Sequence, residues 1–214
     1  MKKVQKSFAL SLAVGILFLC LFGCAEKGAQ FGTDEQGRTM NEKTGDVYLI
    51  APDCFAPIAI EEAVYGSSSS NVYHAVTGAD PAKWLYGEQG MLFYATDVTL
   101  PTLEQMAIDR VSVLDSAGVA VGALSDTAEV LAAVLCYTEG TNETYLGVIQ
   151  PLRLYTLRFE DSSLGICYVV NYLEYQGETE EERVAYLYCR SERRFVAVSD
   201  SLQGAVEAVI GVDS

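Results

Sequence analysis

The sequence predicts a single α+β domain over residues 46–214, in which a mostly antiparallel sheet carries two main helices on one face. Four β-rich runs follow one another between residues 152 and 198 with only short turns between them, a pattern typical of an antiparallel meander. Helix-start patterns at Asp126 and Asp200 precede and follow these runs. Because a segment of this length suits one hydrophobic core, one domain is expected.

In the N-terminal half of this domain, short apolar runs alternate with turn-forming residues. The runs predict strands at residues 47–50, 72–76, 91–94 and 111–114. Asp80 and Pro81 supply an N-cap and a first-turn proline for a short helix that carries Trp84. Thr102 and Gln105 form a capping-box pattern, which predicts a single helical turn.

The C-terminal half contains the two main helices and the predicted meander. Apolar residues at helical spacing follow Asp126, which predicts a helix over residues 127–138. The four strands of the meander are predicted at residues 152–160, 165–175, 184–190 and 194–198. The last helix starts at Asp200 and places Leu202, Val206 and Ile210 on one face, against the sheet.

A tyrosine-lined sheet face is one candidate binding surface. Strand alternation places Tyr155, Leu157 and Phe159 on one face of their predicted strand. It likewise places Tyr168, Val170 and Tyr172 on one face of the next strand. Tyrosine offers apolar area with a wet hydroxyl, so an open face of this kind could bind a ligand. The alternative is that these aromatic residues simply favour strands and cover the core.

Four cysteines lie in the predicted domain: Cys54, Cys136, Cys167 and Cys189. Cys167 and Cys189 fall on neighbouring strands, and direct pairing would bring them within disulfide range. Cys136 and Cys167 also lie in apolar runs, where a free cysteine behaves as a small hydrophobic residue.

The first residues of the chain form a targeting segment. Lys2, Lys3 and Lys6 precede an apolar run of 15 residues, from Phe8 to Phe22. This run is shorter than the roughly 20 residues of a membrane-spanning helix and suits the apolar core of a signal peptide. The basic start favours the cytoplasmic side during insertion.

Leu21, Phe22, Gly23 and Cys24 end this segment, and the run resembles the lipobox of bacterial lipoproteins. Leu21, the small Gly23 and Cys24 match that pattern, whereas Phe22 is larger than the residue usual there. The resemblance implies that residues 1–23 are a signal peptide, that Cys24 is the lipid-attachment site, and that the protein lies on the extracytoplasmic face of a bacterial membrane. Two acyl chains would hold it there stably.

Residues 24–45 are polar and rich in Gly, Lys, Glu and Thr, which predicts a flexible tether between the lipid and the domain. The chain carries a formal net charge of −15, and loss of residues 1–23 removes lysines but no acid. Such acidity excludes nucleic-acid partners, because phosphates are repelled. His74 is the single histidine and no paired-cysteine motif occurs, so neither a metal site nor a cofactor is expected.

Two function classes remain open. The first is a non-enzymatic surface lipoprotein that binds a partner, such as a protein, or contributes to an envelope assembly, since no catalytic motif is present and sheet edges allow strand addition. The second is an anchored hydrolase acting on cell-wall or extracellular material with carboxylates such as Asp53, Glu61 or Glu62. A thiol–imidazole site would need Cys54 and His74 together.

Overall fold

The computed structural model describes residues 28–144, 150–177, 179 and 182–211. These residues form two β units: a closed barrel of seven strands and a second, antiparallel sheet. The prediction of one α+β domain, with a four-strand C-terminal meander as its sheet, is therefore wrong, because the fold is mostly β. The predicted signal peptide, residues 1–23, and the predicted lipid-attachment site, Cys24, lie outside the described residues.

The strands are numbered in chain order. They are β1 (Ala29–Thr33), β2 (Thr39–Asn41), β3 (Val47–Ile50), β4 (Phe55–Pro57), β5 (Ile60–Ser67), β6 (Val72–Val76), β7 (Trp84–Gly87), β8 (Met91–Ala95), β9 (Arg110–Leu114), β10 (Ala120–Leu124), β11 (Arg153–Asp161), β12 (Ile166–Gln176), β13 (Arg183–Cys189) and β14 (Arg194–Ala197). The helices are α1 (Thr127–Glu139) and α2 (Asp200–Ile210).

The barrel has the strand order β1-β2-β3-β8-β7-β6-β5 and closes through a short parallel contact of β1 with β5. In this contact Ala29 lies opposite Gly66. A Cβ atom at Gly66 would lie 2.3 Å from the Ala29 carbonyl oxygen and 2.6 Å from the Phe31 ring. Glycine is therefore required for the two strands to approach this closely.

Aromatic and aliphatic side chains fill the barrel interior, as closure of so small a barrel demands. The buried set is Phe31, Tyr48, Tyr73, Leu85, Phe93 and Ala95. Tyr73 packs its ring 4.6 Å from that of Phe31 and 5.4 Å from that of Phe93. These inward residues alternate with outward ones, as the pleat of a strand requires.

A flexible tether was predicted over residues 24–45, but from residue 28 onward the structure shows ordered strands instead. Strands β1 and β2 form an antiparallel hairpin in which Phe31 lies opposite Asn41, and both residues are buried. Polar composition alone suggested a coil, but a strand with one side in the barrel needs only alternate apolar residues. The predicted domain start at residue 46 is thus too late.

The second sheet has the order β10-β9-β11-β12-β13-β14, and β4 also pairs with β12. Strands β11 to β14 pair with their neighbours in chain order, and β9 and β10 extend the sheet beyond β11. The short segment around Asp80 and Pro81 is a turn that leads directly into β7, so the helix predicted there is wrong. Trp84 instead faces the buried side of β7.

The two helices pack against one face of this second sheet. The helix predicted over residues 127–138 is confirmed as α1, and the Asp126 carboxylate accepts hydrogen bonds from the backbone N–H groups of Ala128 (2.8 Å) and Glu129 (3.4 Å). Ser199 caps α2, one residue before the predicted start. The predicted turn after Pro101 is a 3-10 helix, Leu103–Gln105.

One continuous core joins the barrel to the second sheet. It includes residues from the outside of the barrel, among them Val76, Trp84 and Leu92, together with the helix-facing side of β11 and β12. Because these residues are almost fully buried, the two β units are held together by apolar contact. No helix in the described ranges is long and apolar enough to cross a membrane.

Candidate functional site

A hollow lies at the barrel end where β1, β3, β5 and β7 finish, and we call it the barrel-end hollow. Its volume is about 460 Å³, within the range usual for ligand pockets. The turns at residues 34–38, 68–71 and 88–90 surround it. Its lining residues are Gln30, Phe31, Gly32, Thr33, Gly37, Thr39, Glu42, Ile50, Ser68, Ser69, Ser70, Asn71, Tyr73, Gln89, Met91 and Phe93.

The turn at residues 34–38 is built by Asp34. Its Oδ1 accepts hydrogen bonds at 2.9 Å from the backbone N–H groups of Gln36 and Arg38, while Oδ2 receives the Arg38 guanidinium at 2.6 Å. The Arg38 side chain is the main cause that lowers the pKa of Asp34. Side chains within the turn therefore hold its backbone in place, as in Asx turns.

The turn at residues 68–71 is fixed in a similar way. The Ser68 hydroxyl oxygen accepts a hydrogen bond from the Asn71 N–H at 3.0 Å, and the Gln89 amide donates to the Ser70 carbonyl at 3.0 Å. The second contact links the 68–71 turn to the β7–β8 turn. This contact holds two walls of the hollow together.

The lining is polar but almost uncharged. Amide and hydroxyl groups dominate the rim, and Glu42 is the one carboxylate among the lining residues. The floor is aromatic, with Tyr73 and Phe93 buried. Ile50, which is 56% exposed, adds an apolar wall. Such a surface can donate and accept hydrogen bonds while it packs against C–H groups.

A second group of reactive side chains lies between β4, β12 and the end of β13. Cys54 and Cys189 are 4% and 2% exposed, and each thiol is the main cause of the shift in the other's pKa. The Ser191 hydroxyl lies 3.3 Å from the Cys189 sulfur, and the Tyr168 hydroxyl 3.9 Å from it. The Tyr137 hydroxyl donates to the Glu192 carboxylate at 2.6 Å nearby. We call Cys54, Tyr137, Tyr168, Cys189 and Ser191 the thiol–phenol cluster.

The two thiols differ in acidity. The hydrogen bond from Cys54, followed by that from Ser191, lowers the pKa of Cys189, because both stabilise its thiolate. The same contact with Cys189, together with burial, raises the pKa of Cys54. Burial is the main cause that raises the pKa of Tyr137 and of Tyr168.

The structure does not place Cys167 and Cys189 opposite each other, as was predicted. Tyr188 lies opposite Asn171, so the register continues with Cys189 opposite Val170, three positions from Cys167. Cys167 instead lies opposite Ala56 of β4, and all four described cysteines are free. The sequence does not reveal this three-position difference in register, because the geometry of the hairpin loop sets the register.

The predicted tyrosine-lined face is buried. Leu157, Phe159, Tyr168, Val170 and Tyr172 are at most 1% exposed and form the core under the helices. The alternation along the strands was predicted correctly, but α1 and α2 cover this face. Aromatic residues at these positions therefore serve packing rather than ligand binding.

The remaining candidate residues lie apart from one another. His74 Nδ1 lies 3.0 Å from the Glu61 carbonyl oxygen and Nε2 lies 3.5 Å from Glu88, so His74 has no contact with Cys54 among the described contacts. Asp53, Glu61 and Glu62 have exposed side chains, and none lines the barrel-end hollow. No group of three potential metal ligands occurs in the described part of the chain.

Comparison with known proteins gives no relative: no family model, no curated protein and no solved structure matches this chain. The geometry of the barrel-end hollow and of the thiol–phenol cluster must therefore carry the functional argument. Sequence reasoning missed both. The hollow requires barrel closure by a parallel contact, which no local pattern encodes, and the cluster joins residues that lie far apart in the chain.

Proposed function

We propose that the chain is a lipid-anchored extracytoplasmic binding protein whose barrel-end hollow binds an uncharged oligosaccharide. The observation that carries the proposal is the hollow itself, a preformed space of about 460 Å³ with an amide and hydroxyl rim over an aromatic floor. Sugars present many hydroxyl groups with apolar C–H faces between them. The rim suits the first feature, and the exposed side chain of Ile50 suits the second.

Charge supports an uncharged ligand. The chain has a formal net charge of −15, which disfavours anions, and the lining contains no lysine or arginine that could bind one. A cation would meet a single carboxylate, Glu42, whose side chain is exposed and therefore strongly hydrated. Hydrogen bonding to neutral groups is what the lining offers.

Barrel closure argues against an extended peptide at this place. Strand addition requires a free strand edge, and at the seam of the barrel β1 and β5 pair with each other at Ala29–Gly66 and Gln30–Ser67. The hollow also lies at the end of the barrel rather than along a strand. A compact ligand that enters between three turns fits this geometry better.

The proposed location rests on the leader and its resemblance to a lipobox at Leu21–Cys24. Lysines before an apolar run of 15 residues, followed by glycine and cysteine, favour export and lipid attachment at Cys24. An oligosaccharide-binding barrel held at a cell surface would meet envelope or extracellular glycans. The two parts of the proposal are tested separately.

The binding test uses the full chain, extracted from membranes in mild detergent and titrated with neutral cello-, malto- and chito-oligosaccharides. Calorimetry measures affinity, and amide NMR shifts locate the contact. Replacing Thr33 by valine removes one rim hydroxyl but keeps a β-branched residue in β1. We expect about tenfold weaker binding, the effect of one lost hydrogen bond.

Thr156→Val is the matched control, since Thr156 is a half-buried strand residue of β11, in the second sheet. It should bind as the unaltered chain does. Absence of binding by every sugar at millimolar concentration would count against the oligosaccharide proposal. Binding with shifts confined to the second sheet would contradict the hollow as the site.

A further inference from the structure

Two strands share one edge of β12, and their meeting point places two cysteines side by side. β11 occupies the opposite edge of β12 from Ile166 to Glu174. On the shared edge β4 pairs with residues 166–168, and β13 pairs with residues 171–176. Both strands run antiparallel to β12, so the end of β13 meets the start of β4 like two pieces of one interrupted strand.

Cys54 and Cys189 are the residues at this junction. The Val169 N–H donates to the Cys54 carbonyl at 2.7 Å, which fixes the backbone just before β4. Cys189 is the last residue of β13, and the register places it opposite Val170. Adjacent positions along such an edge are about 3.4 Å apart along the strand direction. Cα atoms so placed come within the range that a disulfide spans.

The side chains are turned towards each other. Cys54 lies in the turn that the Phe55 N–H closes on the Pro52 carbonyl at 2.9 Å, so its side chain departs from strand alternation and joins the core. Cys189 belongs to the same core cluster, so both thiols lie on the helix-facing side of the sheet. Both are buried, which keeps the pair in one arrangement.

The other two described cysteines have different partners. The Cys167 sulfur receives a hydrogen bond from Arg158 Nε at 3.2 Å and donates to the Ala56 carbonyl at 3.4 Å. The Cys136 thiol donates to the Ala197 carbonyl at 3.6 Å. Among the described cysteines, the geometry therefore selects a single pair.

We propose that Cys54 and Cys189 are oxidised to an intramolecular disulfide by exchange with a disulfide-containing oxidant. The Cys189 sulfur attacks one sulfur of the oxidant, and half of the oxidant leaves as a thiolate. The Cys54 sulfur then attacks the Cys189 sulfur of this mixed disulfide and displaces the other half. The two cysteine protons pass to the two released thiolates, so the protein loses two electrons and the oxidant gains them.

The bond would join the segment after β3 to the end of β13, and hence the barrel to the second sheet. In the cell the reaction requires the extracytoplasmic location that we propose, since thiols stay reduced in the cytoplasm. In solution it requires only the oxidant and is independent of any sugar ligand.

The test refolds the reduced full chain in detergent with mixtures of reduced and oxidised glutathione. Acid quenching, alkylation in denaturant and non-reducing tryptic mapping then locate the bond. Trypsin places the four cysteines on separate peptides, spanning residues 44–83, 111–153, 159–183 and 184–190. We expect peptide 44–83 to be linked to peptide 184–190, with complete loss of alkylation at Cys54 and Cys189.

Variants make the result specific. Cys167→Ala and Cys136→Ala should keep the linked peptide, whereas Cys54→Ala should abolish it and leave Cys189 either alkylated or as a mixed disulfide with glutathione. Alkylation of all four cysteines in the unaltered chain across the whole glutathione series would overturn the proposal. A link between peptides 159–183 and 184–190 would overturn it as well. Mapping of the unaltered chain decides the matter even if a variant does not fold.

Discussion

Arg194 of β14 caps the end of α1 through Tyr137. Its Nε donates to the Tyr137 carbonyl at 2.9 Å, and its guanidinium carbon lies 5.3 Å from the centre of the Tyr137 ring. The second guanidinium nitrogen, Nη2, donates to the carbonyls of Thr138 (2.9 Å) and Gly140 (2.8 Å). The last turn of α1 has no basic residue of its own, so a distant strand supplies the cation that a helix C-terminus favours.

Replacing Arg194 by lysine should lower the free energy of unfolding by about 1–3 kcal/mol, because an ammonium group cannot donate to three carbonyls in the planar geometry of a guanidinium. Urea unfolding followed by circular dichroism measures the change. Arg190→Lys is the control, since Arg190 is exposed at the end of β13, and it should change stability by less than about 0.5 kcal/mol. Equal losses in both variants would contradict the capping role.

Two buried tyrosines should respond in opposite ways to loss of their hydroxyl groups. The Tyr137 hydroxyl donates to Glu192, whereas the Tyr172 hydroxyl has no hydrogen-bond partner in the structure and is fully buried. Tyr137→Phe should therefore destabilise by about 1–2 kcal/mol. Tyr172→Phe should be neutral or stabilising, because it removes a desolvated hydroxyl that gains nothing in return.

Urea unfolding of the two phenylalanine variants checks this contrast directly, since each keeps its ring and so its packing. The observation that contradicts the argument is a larger loss of stability for Tyr172→Phe than for Tyr137→Phe. In that case the Tyr172 hydroxyl would have a partner outside the described contacts.

Elements that depend on local sequence signals were predicted, whereas elements that depend on contacts between distant residues were missed. Helix α1 was predicted because Asp126 and the apolar spacing after it are local signals. The barrel was missed because β1 and β2 are short and polar on one side, and because closure depends on the contact of Ala29 with Gly66, which no local pattern reveals.

The same distinction explains the candidate sites. Cys54 and Cys189 come together because β4 and β13 share an edge of β12, and that register depends on the whole sheet. The barrel-end hollow depends on three turns that lie far apart in sequence and meet only after closure. Composition, by contrast, needs no register, and the acidity from which we predict that nucleic acid is not a partner could be taken from the sequence alone.

Barrel closure should be sensitive to one methyl group. Gly66→Ala places a Cβ atom 2.3 Å from the Ala29 carbonyl oxygen, so β1 and β5 must separate, and we expect a loss of about 1–3 kcal/mol or more. Gly204→Ala is the matched control: it lies in α2, where an added Cβ meets nothing within 4 Å. There alanine should stabilise by about 0.5–1 kcal/mol, through helix propensity.

Thermal or urea unfolding distinguishes the two alanine variants, and the sign of the change is the decisive quantity. Hydrogen exchange at the amides of β1 adds a local measurement, since opening of the β1–β5 contact should accelerate exchange there. An unchanged stability for Gly66→Ala would mean that closure does not depend on this approach.

The ion pair between Asp34 and Arg38, in the turn beside the hollow, should lower the measured pKa of Asp34. The Arg38 side chain, followed by the backbone N–H groups of Arg38 and Gln36, lowers the pKa of Asp34 below its ordinary value of 3.8. A lowered folded-state pKa means that the stabilisation is present above the ordinary value and is lost as the pH falls through the lowered one. The pair is at the surface, so the effect on overall stability is small.

Carbon NMR of the Asp34 carboxyl group measures this pKa. Arg38→Gln should raise it towards 3.8, although the two backbone donors remain. Lys43→Gln is the control, because it removes an exposed cation outside this turn and should leave the titration of Asp34 unchanged. An Asp34 pKa at or above 3.8 in the unaltered chain would contradict the contact between Asp34 and Arg38.

The proposed location depends on lipid attachment at Cys24, and two measurements test it. Mass spectrometry of the full chain from its native membranes should find a diacylglyceryl group on Cys24 and no residues before it. Cys24→Ser should move the protein from the membrane fraction to the soluble fraction if the leader is still cut, because about 0.8 kcal/mol per buried CH₂ is lost over two acyl chains. A free Cys24 thiol in membrane-derived protein would contradict the lipid anchor, while sugar binding at the barrel-end hollow could still be measured independently.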